Sequence, residues 1–155
     1  MRRPVKNRKE RKPDSKYESV EVTRLINYMM LHGKKDVARK IVYRAFDYIN
    51  EKENKEPVQV YKEAIKNVGP LVEVRSRRIG GANYQVPREV KPDRRESLAV
   101  RWILEEVRKK EGKAAWQFLG DELIAASKGE GEAVKKKENT HRMAEANKAF
   151  AHFSW

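Results

Sequence analysis

Arginine and lysine side chains are the clearest candidates for a chemical function in this sequence, and an excess of them over acidic side chains is concentrated in two segments. Residues 72–95 contain seven bases and three acids. An arginine side chain presents rigid, planar, bidentate donors that match the oxygens of a phosphate group. These arginines therefore indicate contact with nucleic acid, although charges that protect an exposed edge strand from aggregation would give the same pattern. The seven bases are Arg75, Arg77, Arg78, Arg88, Lys91, Arg94 and Arg95.

Residues 1–12 form the second basic segment, with seven bases against one acid, Glu10. The two segments together carry +10 of the formal net charge of +13, so the rest of the chain is close to neutral. Concentrated positive charge favours a polyanionic partner, because each neutralised phosphate releases condensed counterions. A solubility tail, a targeting signal and a lipid-binding segment remain alternatives for this run. Its bases are Arg2, Arg3, Lys6, Arg8, Lys9, Arg11 and Lys12.

Two smaller lysine groups are weaker candidates for phosphate contact. Lys34 and Lys35 follow a glycine at a predicted turn between helices, where an ordinary polar loop is also expected. Lys135, Lys136 and Lys137 are consecutive on a predicted helix, so they fan around most of its circumference instead of forming one face. A solvated helix explains this second group as well as phosphate contact does.

The sequence offers little for catalysis or metal binding. It contains no cysteine, which excludes disulfides, thiolate catalysis and cysteine-based zinc sites. His32, His141 and His152 lack metal-ligand spacing with nearby carboxylates, so we predict neither a metal site nor a cofactor. His141 and Glu145 share a helical face, which leaves a nuclease as an alternative, but no nucleophile or pocket motif accompanies them. We expect no enzymatic activity.

Apolar periodicity predicts six helices that position these side chains. Asp36 is expected to cap the second helix, and Asp93 with Glu96 resembles a capping box at the start of the fourth. The predicted helices begin near Ser19, Asp36, Pro57, Asp93, Ala114 and Glu132. The expected fold class is mainly α, a six-helix bundle-like domain with a basic N-terminal tail and one protruding two-stranded β-hairpin between helices 3 and 4.

The hairpin is predicted over residues 72–90, where apolar and polar residues alternate on both sides of Gly80-Gly81. If these two glycines form the turn, Glu73 lies opposite Arg88 and Arg77 lies opposite Tyr84. Tyr84 is expected either to stack on a base or to pack across the hairpin on Arg77. A lone two-stranded ribbon is marginally stable in water, so we expect it to gain stability from what it binds.

The chain is expected to have two parts. Residues 1–18 lack apolar periodicity and are predicted to be a tail that is disordered when free, whereas residues 19–155 form the helical RNA-binding domain. No apolar run approaches the roughly 18 residues that span a membrane, and we predict no membrane partner. Phe150, Phe153 and Trp155 either seal the last helix onto the core or reach out to stack on RNA.

Several long motifs in one order resemble the family of bacterial-type small-subunit ribosomal protein seven over the whole chain. The motifs are GKK at 33–35, VEVRSRRIGG at 72–81, YQVP at 84–87, LAVRWI at 98–103, AVKKKE at 133–138 and HRMAEANKAFAHF at 141–153. The resemblance implies a non-enzymatic, primary rRNA-binding protein that nucleates assembly of the head (3′ major) domain of the small subunit. It also implies a position near the tRNA exit site and the mRNA exit path, with tRNA binding.

The resemblance assigns partners and residues as well. Small-subunit rRNA, exit-site tRNA, mRNA and small-subunit proteins nine and eleven are the implied partners, in a cytoplasmic or organellar small subunit. The rRNA-binding residues implied by the resemblance are Arg2, Arg3, Lys6, Arg8, Lys9, Lys34 and Lys35. The charge pattern adds further predicted rRNA contacts at Arg11, Lys12, Arg75, Arg94, Arg95, Lys135, Lys136 and Lys137. The implied exit-site region comprises Arg77, Arg78, Gly80, Gly81, Tyr84, Arg142, Met143 and Asn147. Ser154 stands where the family commonly has a basic residue, which puts a terminal phosphate contact in doubt.

One further binding class stays open on the residues alone. A basic protein with an arginine-bearing ribbon is also compatible with an architectural DNA-binding protein that uses its ribbon as a groove arm. Equal affinity for duplex DNA and for junction RNA would favour that alternative.

Overall fold

The computed structural model describes residues 12–153, which form six α-helices, two β-strands and a terminal 3-10 helix. The α-helices are α1 (Val20–Met29), α2 (Lys35–Glu53), α3 (Pro57–Val68), α4 (Pro92–Lys109), α5 (Ala115–Ser127) and α6 (Glu132–Ala146). The strands β1 (Val72–Ile79) and β2 (Ala82–Glu89) lie between α3 and α4, and the 3-10 helix is Lys148–Phe153. The prediction of a mainly α chain with one hairpin between its third and fourth helices is confirmed.

Local sequence accounts for the start of α1 but not for the starts of α2 and α4. The Ser19 hydroxyl accepts a hydrogen bond from the backbone N–H of Val22 at 3.5 Å and caps α1, at the residue where the apolar pattern begins. The caps predicted at Asp36 and Asp93 are wrong, because the N-cap residues are Lys34 and Lys91, two positions earlier in each case. Both carboxylates lie in the first turn instead, where the helix dipole favours a negative charge.

The apolar core is organised around α5, which packs against α2, α3, α4 and α6. Leu119 of α5 is fully buried together with Phe46 of α2 and Ile103 of α4. Gly120 allows the closest approach between α5 and α2, since a Cβ atom there would come within 2.5 Å of the Tyr48 ring. Burial of these apolar side chains is the main source of the free energy that stabilises the helical body.

A buried carboxylate connects α5 to the start of α6. Glu122 is 2% exposed. Its Oε1 atom accepts a hydrogen bond from the backbone N–H of Ala133 at 3.2 Å, and its Oε2 atom accepts one from Lys110 Nζ at 2.6 Å. Glu122 therefore satisfies a backbone donor in the first turn of α6 and fixes where that helix begins.

Residues 12–18 precede α1 and lie against α2. Asp14 is buried, and both of its carboxylate oxygens accept from the Tyr43 hydroxyl at 2.8 and 3.0 Å. The Tyr17 ring packs edge-on against Tyr43 and Phe46. These contacts were not anticipated for the predicted tail. A tail that orders only on a partner stays a prediction for residues 1–11, which lie outside the described residues.

The hairpin has the register that the Gly80-Gly81 turn predicts. Glu73 pairs with Arg88 and Arg77 pairs with Tyr84 across the antiparallel strands. The hairpin also contacts α6 along β1, and the 3-10 helix along β2. Part of the hairpin's support therefore comes from its own chain, and a further gain in stability from a bound partner stays a prediction.

No helix within residues 12–153 combines the length and the apolar character needed to cross a membrane.

Candidate nucleic-acid interface

A groove runs between the hairpin and α6 and continues beside the 3-10 helix. Val86, which is buried, contributes to its apolar floor. Four of the six ionised side chains along its walls are positive, so its net charge is positive. These side chains are Arg75, Arg77, Arg88, Lys148, Glu89 and Glu145. A concave surface with an excess of positive charge is suited to a phosphate backbone, because it focuses the electrostatic potential on the ligand.

An aromatic cluster of Tyr84, Phe150 and Phe153 closes one end of the hairpin against the 3-10 helix. The Tyr84 ring centroid lies 5.3 Å from that of Phe150 and 5.4 Å from that of Phe153. Arg77 adds a hydrogen bond from its guanidinium to the Phe153 carbonyl oxygen at 3.1 Å. The sequence left core packing and RNA stacking open for Phe150 and Phe153, and the structure shows them packed on the hairpin.

The root of the hairpin holds a carboxylate between two arginines. Glu73 Oε1 accepts from Arg75 Nε at 2.9 Å, and Glu73 Oε2 accepts from Arg94 Nε of α4 at 2.8 Å. A terminal nitrogen of Arg94 lies 2.7 Å from the same oxygen in an ion pair. Burial pushes the pKa of Glu73 upward, but the hydrogen bond and charge of Arg94, together with those of Arg75, outweigh it and leave the pKa below its usual value. Although Arg88 is its cross-strand neighbour, the ion pairs of Glu73 among the described residues are with Arg75 and Arg94.

His141 of α6 also supports the root of the hairpin. Its Nε2 atom accepts a hydrogen bond from the backbone N–H of Leu71 at 3.0 Å. Burial lowers the pKa of His141, and the neighbouring charges of Lys137 and Arg95 lower it further, so the neutral ring is favoured. This contact gives His141 a structural role, which argues against its use as the acid or base of a nuclease. Within residues 12–153, no group of three or more acidic or histidine side chains is arranged to hold a metal ion.

Besides Arg75 and Arg94, four more of the basic residues predicted to bind rRNA make contacts inside the protein. Lys135 pairs with Glu132, and Lys136 pairs with Glu105, each at 2.7 Å. Lys137 donates to the carbonyl of Asn67 near the end of α3 at 2.8 Å.

Arg95 also contacts the C-terminal end of α3. It donates to the carbonyls of Gly69 and Lys66 at 3.1 and 3.2 Å. These contacts satisfy backbone acceptors that the last turn of a helix leaves open. They join residues far apart in the chain, so neither periodicity nor local spacing could indicate them.

The predicted exit-site residues lie at the hairpin tip and on the exposed side of α6. The Gly80-Gly81 turn has φ angles of +57° and +90°, and space is open within 4 Å of where a side chain would begin. Arg78, Arg142 and Met143 are exposed. Asn147 follows α6, and its side-chain amide donates to the Met143 carbonyl at 2.8 Å.

The turn between α1 and α2 carries two exposed lysines. Lys34 and Lys35 follow His32 and Gly33, whose φ angles are positive, at 50° and 74°. Lys12 is exposed at the start of the described residues. The remaining predicted contacts and the alternatives for the C-terminal tryptophan lie outside the described residues. They concern Arg2, Arg3, Lys6, Arg8, Lys9, Arg11, Ser154 and Trp155.

A comparison with protein-family models decides the family. The model described as ribosomal protein S7p/S5e matches residues 1–148. The chain belongs to the ribosomal protein S7p/S5e family. The resemblance drawn from the motifs in the sequence is therefore confirmed.

Curated relatives agree with membership of the S7p/S5e family. The chain is 57% identical over 143 residues to small ribosomal subunit protein uS7 of Carboxydothermus hydrogenoformans, covering 92% of each chain. It is 54% identical to the protein of the same name from Thermotoga neapolitana over the full length of both. The uS7 protein of Polynucleobacter asymbioticus is 56% identical over 141 residues, covering 91% of this chain and 90% of its own. The match therefore extends through the hairpin and α6, the two walls of the groove.

Proposed function

We propose that this S7p/S5e-family protein is a primary rRNA-binding component of the small subunit that nucleates assembly of the head (3′ major) domain. The observation that carries the proposal is the groove between the hairpin and α6, whose walls include Arg75, Arg77, Arg88 and Lys148. In this function the phosphates supply the affinity, and a folded rRNA junction is recognised by its shape. The role is structural and requires no catalytic group.

The predicted rRNA contacts fall into two groups, one that binds phosphate and one that holds helices in place. We assign phosphate contact first to residues 1–12, to Lys34 and Lys35 at the α1–α2 turn, and to the half-exposed Arg75 and Arg94. The internal contacts of Arg95 and of residues 135–137 favour a role in holding α3 and α6 in place.

The hairpin tip is the proposed site for exit-site tRNA and mRNA. Gly80-Gly81 brings the backbone to the surface without side chains, which permits close approach to a nucleic-acid backbone. Arg78 on β1 and Arg142 on α6 are exposed and supply positive charge. Stacking of Tyr84 on a base would require its ring to leave Phe150 and Phe153. Contacts with small-subunit proteins nine and eleven are proposed from the family resemblance alone.

Binding to a head-domain rRNA fragment over a salt series tests this function. The double variant Arg88→Gln, Lys148→Gln removes two charges from the groove, so the slope of log affinity against log salt should fall by roughly 1.5. The variant Lys40→Gln, Lys55→Gln changes the charge equally at exposed positions of α2 and the α2–α3 loop, and its slope should fall less.

Three outcomes of that experiment would contradict the proposal. The groove and control variants would have equal slopes if the groove did not bind RNA. Equal affinity of the unmodified protein for duplex DNA and junction RNA would instead indicate an architectural DNA-binding protein. Degradation of the RNA during long incubation with a divalent metal ion would indicate a nuclease.

A further inference from the structure

Glu73 is an acidic residue paired with two arginines at the root of the hairpin. It is 9% exposed, and it is one of three buried polar or charged residues among residues 12–153. Burial of a carboxylate in an ion pair contributes little net stability, because the loss of hydration offsets most of the attraction between the charges. A carboxylate also weakens the attraction of these arginines for phosphate. Neither stability nor net charge therefore explains its position.

The geometry around Glu73 suggests what it does. One carboxylate oxygen holds Arg75 of β1, and the other holds Arg94 of α4 through both Nε and a terminal nitrogen. The carboxylate thus bridges two guanidinium groups that would otherwise repel each other. The two arginine side chains remain 49% and 45% exposed, so they still face solvent beside the carboxylate.

A guanidinium group has five N–H donors, and the hydrogen bonds to Glu73 use one from Arg75 and one from Arg94. The other donors can meet phosphate oxygens. Fixing a long side chain before binding reduces the conformational entropy that is lost when the ligand arrives. Because Glu73 lies on the hairpin and Arg94 on α4, the same bonds also fix the angle between these elements.

We propose that Glu73 is a positioning residue that orients Arg75 and Arg94 as a paired clamp for adjacent phosphates of a folded RNA. This inference rests on the proposed rRNA-binding function and deepens it. Glu73 itself does not touch the RNA. It acts through the two arginines, at the junction between the hairpin and α4.

The variant Glu73→Gln separates positioning from simple electrostatics, because the two effects have opposite signs. The substitution keeps the size of the side chain and makes the protein more positive by one unit, so electrostatics alone predicts tighter RNA binding. Loss of orientation at two arginines predicts that the affinity for the head-domain rRNA fragment falls by about 5- to 100-fold. Affinity for an unstructured polyuridine RNA should stay equal or rise, since disordered phosphates do not need the fixed clamp.

A matched control and a double-mutant cycle complete the test. Glu111→Gln makes the same change of charge at an exposed position between α4 and α5, outside the groove, and it should not weaken binding to the rRNA fragment. In a background of Arg75→Gln and Arg94→Gln, the substitution Glu73→Gln should cause no further loss, because Glu73 acts through those arginines. Thermal unfolding by circular dichroism is recorded for each variant.

The results distinguish failure of this inference from failure of the proposed function. If the unmodified protein does not prefer the rRNA fragment to polyuridine, the proposed rRNA-binding function is wrong. If that preference exists and Glu73→Gln keeps it in full, only the positioning role is overturned. Should Glu73→Gln not fold, Arg94→Lys decides the matter. It retains the charge but loses the two-nitrogen contact, so an undiminished preference in that variant overturns the role as well.

Discussion

The substitution Tyr84→Ala should release the hairpin from the 3-10 helix while leaving the core of the protein intact. It removes two aromatic contacts, at centroid distances of 5.3 Å to Phe150 and 5.4 Å to Phe153. Each aromatic pair contributes about 0.5–1.5 kcal/mol beyond the burial of area, so together they stabilise the closed hairpin by about 1–3 kcal/mol. The population of the open hairpin should therefore rise by roughly 5- to 150-fold.

Limited proteolysis with trypsin measures this opening. Trypsin cleaves after arginine, and Arg77 and Arg78 lie in β1, where cleavage requires the strand to leave the sheet. When opening and closing are fast relative to cleavage, the cleavage rate is proportional to the population of the open form. The initial rate of cleavage at these two arginines should increase by the same factor as that population, and mass spectrometry of the fragments identifies the sites.

Two comparisons decide whether the reasoning holds. Tyr84→Phe keeps the ring, so its cleavage rate should remain close to that of the unmodified protein. The midpoint of thermal unfolding should change little for either variant, because Tyr84 lies outside the main apolar core. A cleavage rate for Tyr84→Ala within twofold of the unmodified protein would refute the claim that the aromatic cluster holds the hairpin closed.

Three further predictions concern the helical body. Protonation of His141 would remove its acceptor for the Leu71 N–H, and its pKa is lowered by burial and by nearby positive charge. The contribution of His141 to the free energy of unfolding should therefore be complete above about pH 6.5 and be lost as the pH falls through its folded-state pKa. Urea unfolding at several pH values measures this loss. The variant His141→Gln should not show this dependence of stability on pH. Gly120→Ala places a Cβ atom 2.5 Å from the Tyr48 ring and should lower the free energy of unfolding by about 1–3 kcal/mol in urea. Arg95→Ala leaves two carbonyls at the end of α3 without this donor, which should cost about 1–3 kcal/mol in the same assay and leave the m-value unchanged.

Local patterns in the sequence predicted the elements whose structure depends on neighbouring residues. The two-residue turn at Gly80-Gly81 set the hairpin register, because each strand continues from the turn with a period of two. Periodicity of apolar residues located the helices, and Ser19 capped the first of them. The caps predicted at Asp36 and Asp93 were two residues too late, since proximity to a helix start does not distinguish a cap from the first turn.

Contacts between distant parts of the chain could not be predicted from the sequence. Asp14 is buried because Tyr43, on α2, donates to it, and no local signal marks that pairing. The basic residues of α6 and of the start of α4 cannot be told apart in the sequence, yet some contact other parts of the protein and others face solvent. Lys137 donates to the backbone of α3, whereas Arg142 is exposed five residues later. The sequence shows how many basic residues there are, and the tertiary structure decides which of them are available to a ligand.

The hydrogen bond between Leu71 and His141 joins residues that are 70 positions apart. One wall of the groove comes from residues 72–89, and the other comes from α6 and the 3-10 helix. During synthesis the first wall leaves the ribosome well before the second, because proteins are made from the N-terminus. A nascent chain therefore carries the basic hairpin without its opposing wall. The groove is complete only after α6 and the 3-10 helix have been made, so a chain that stops before α6 lacks one of its two walls.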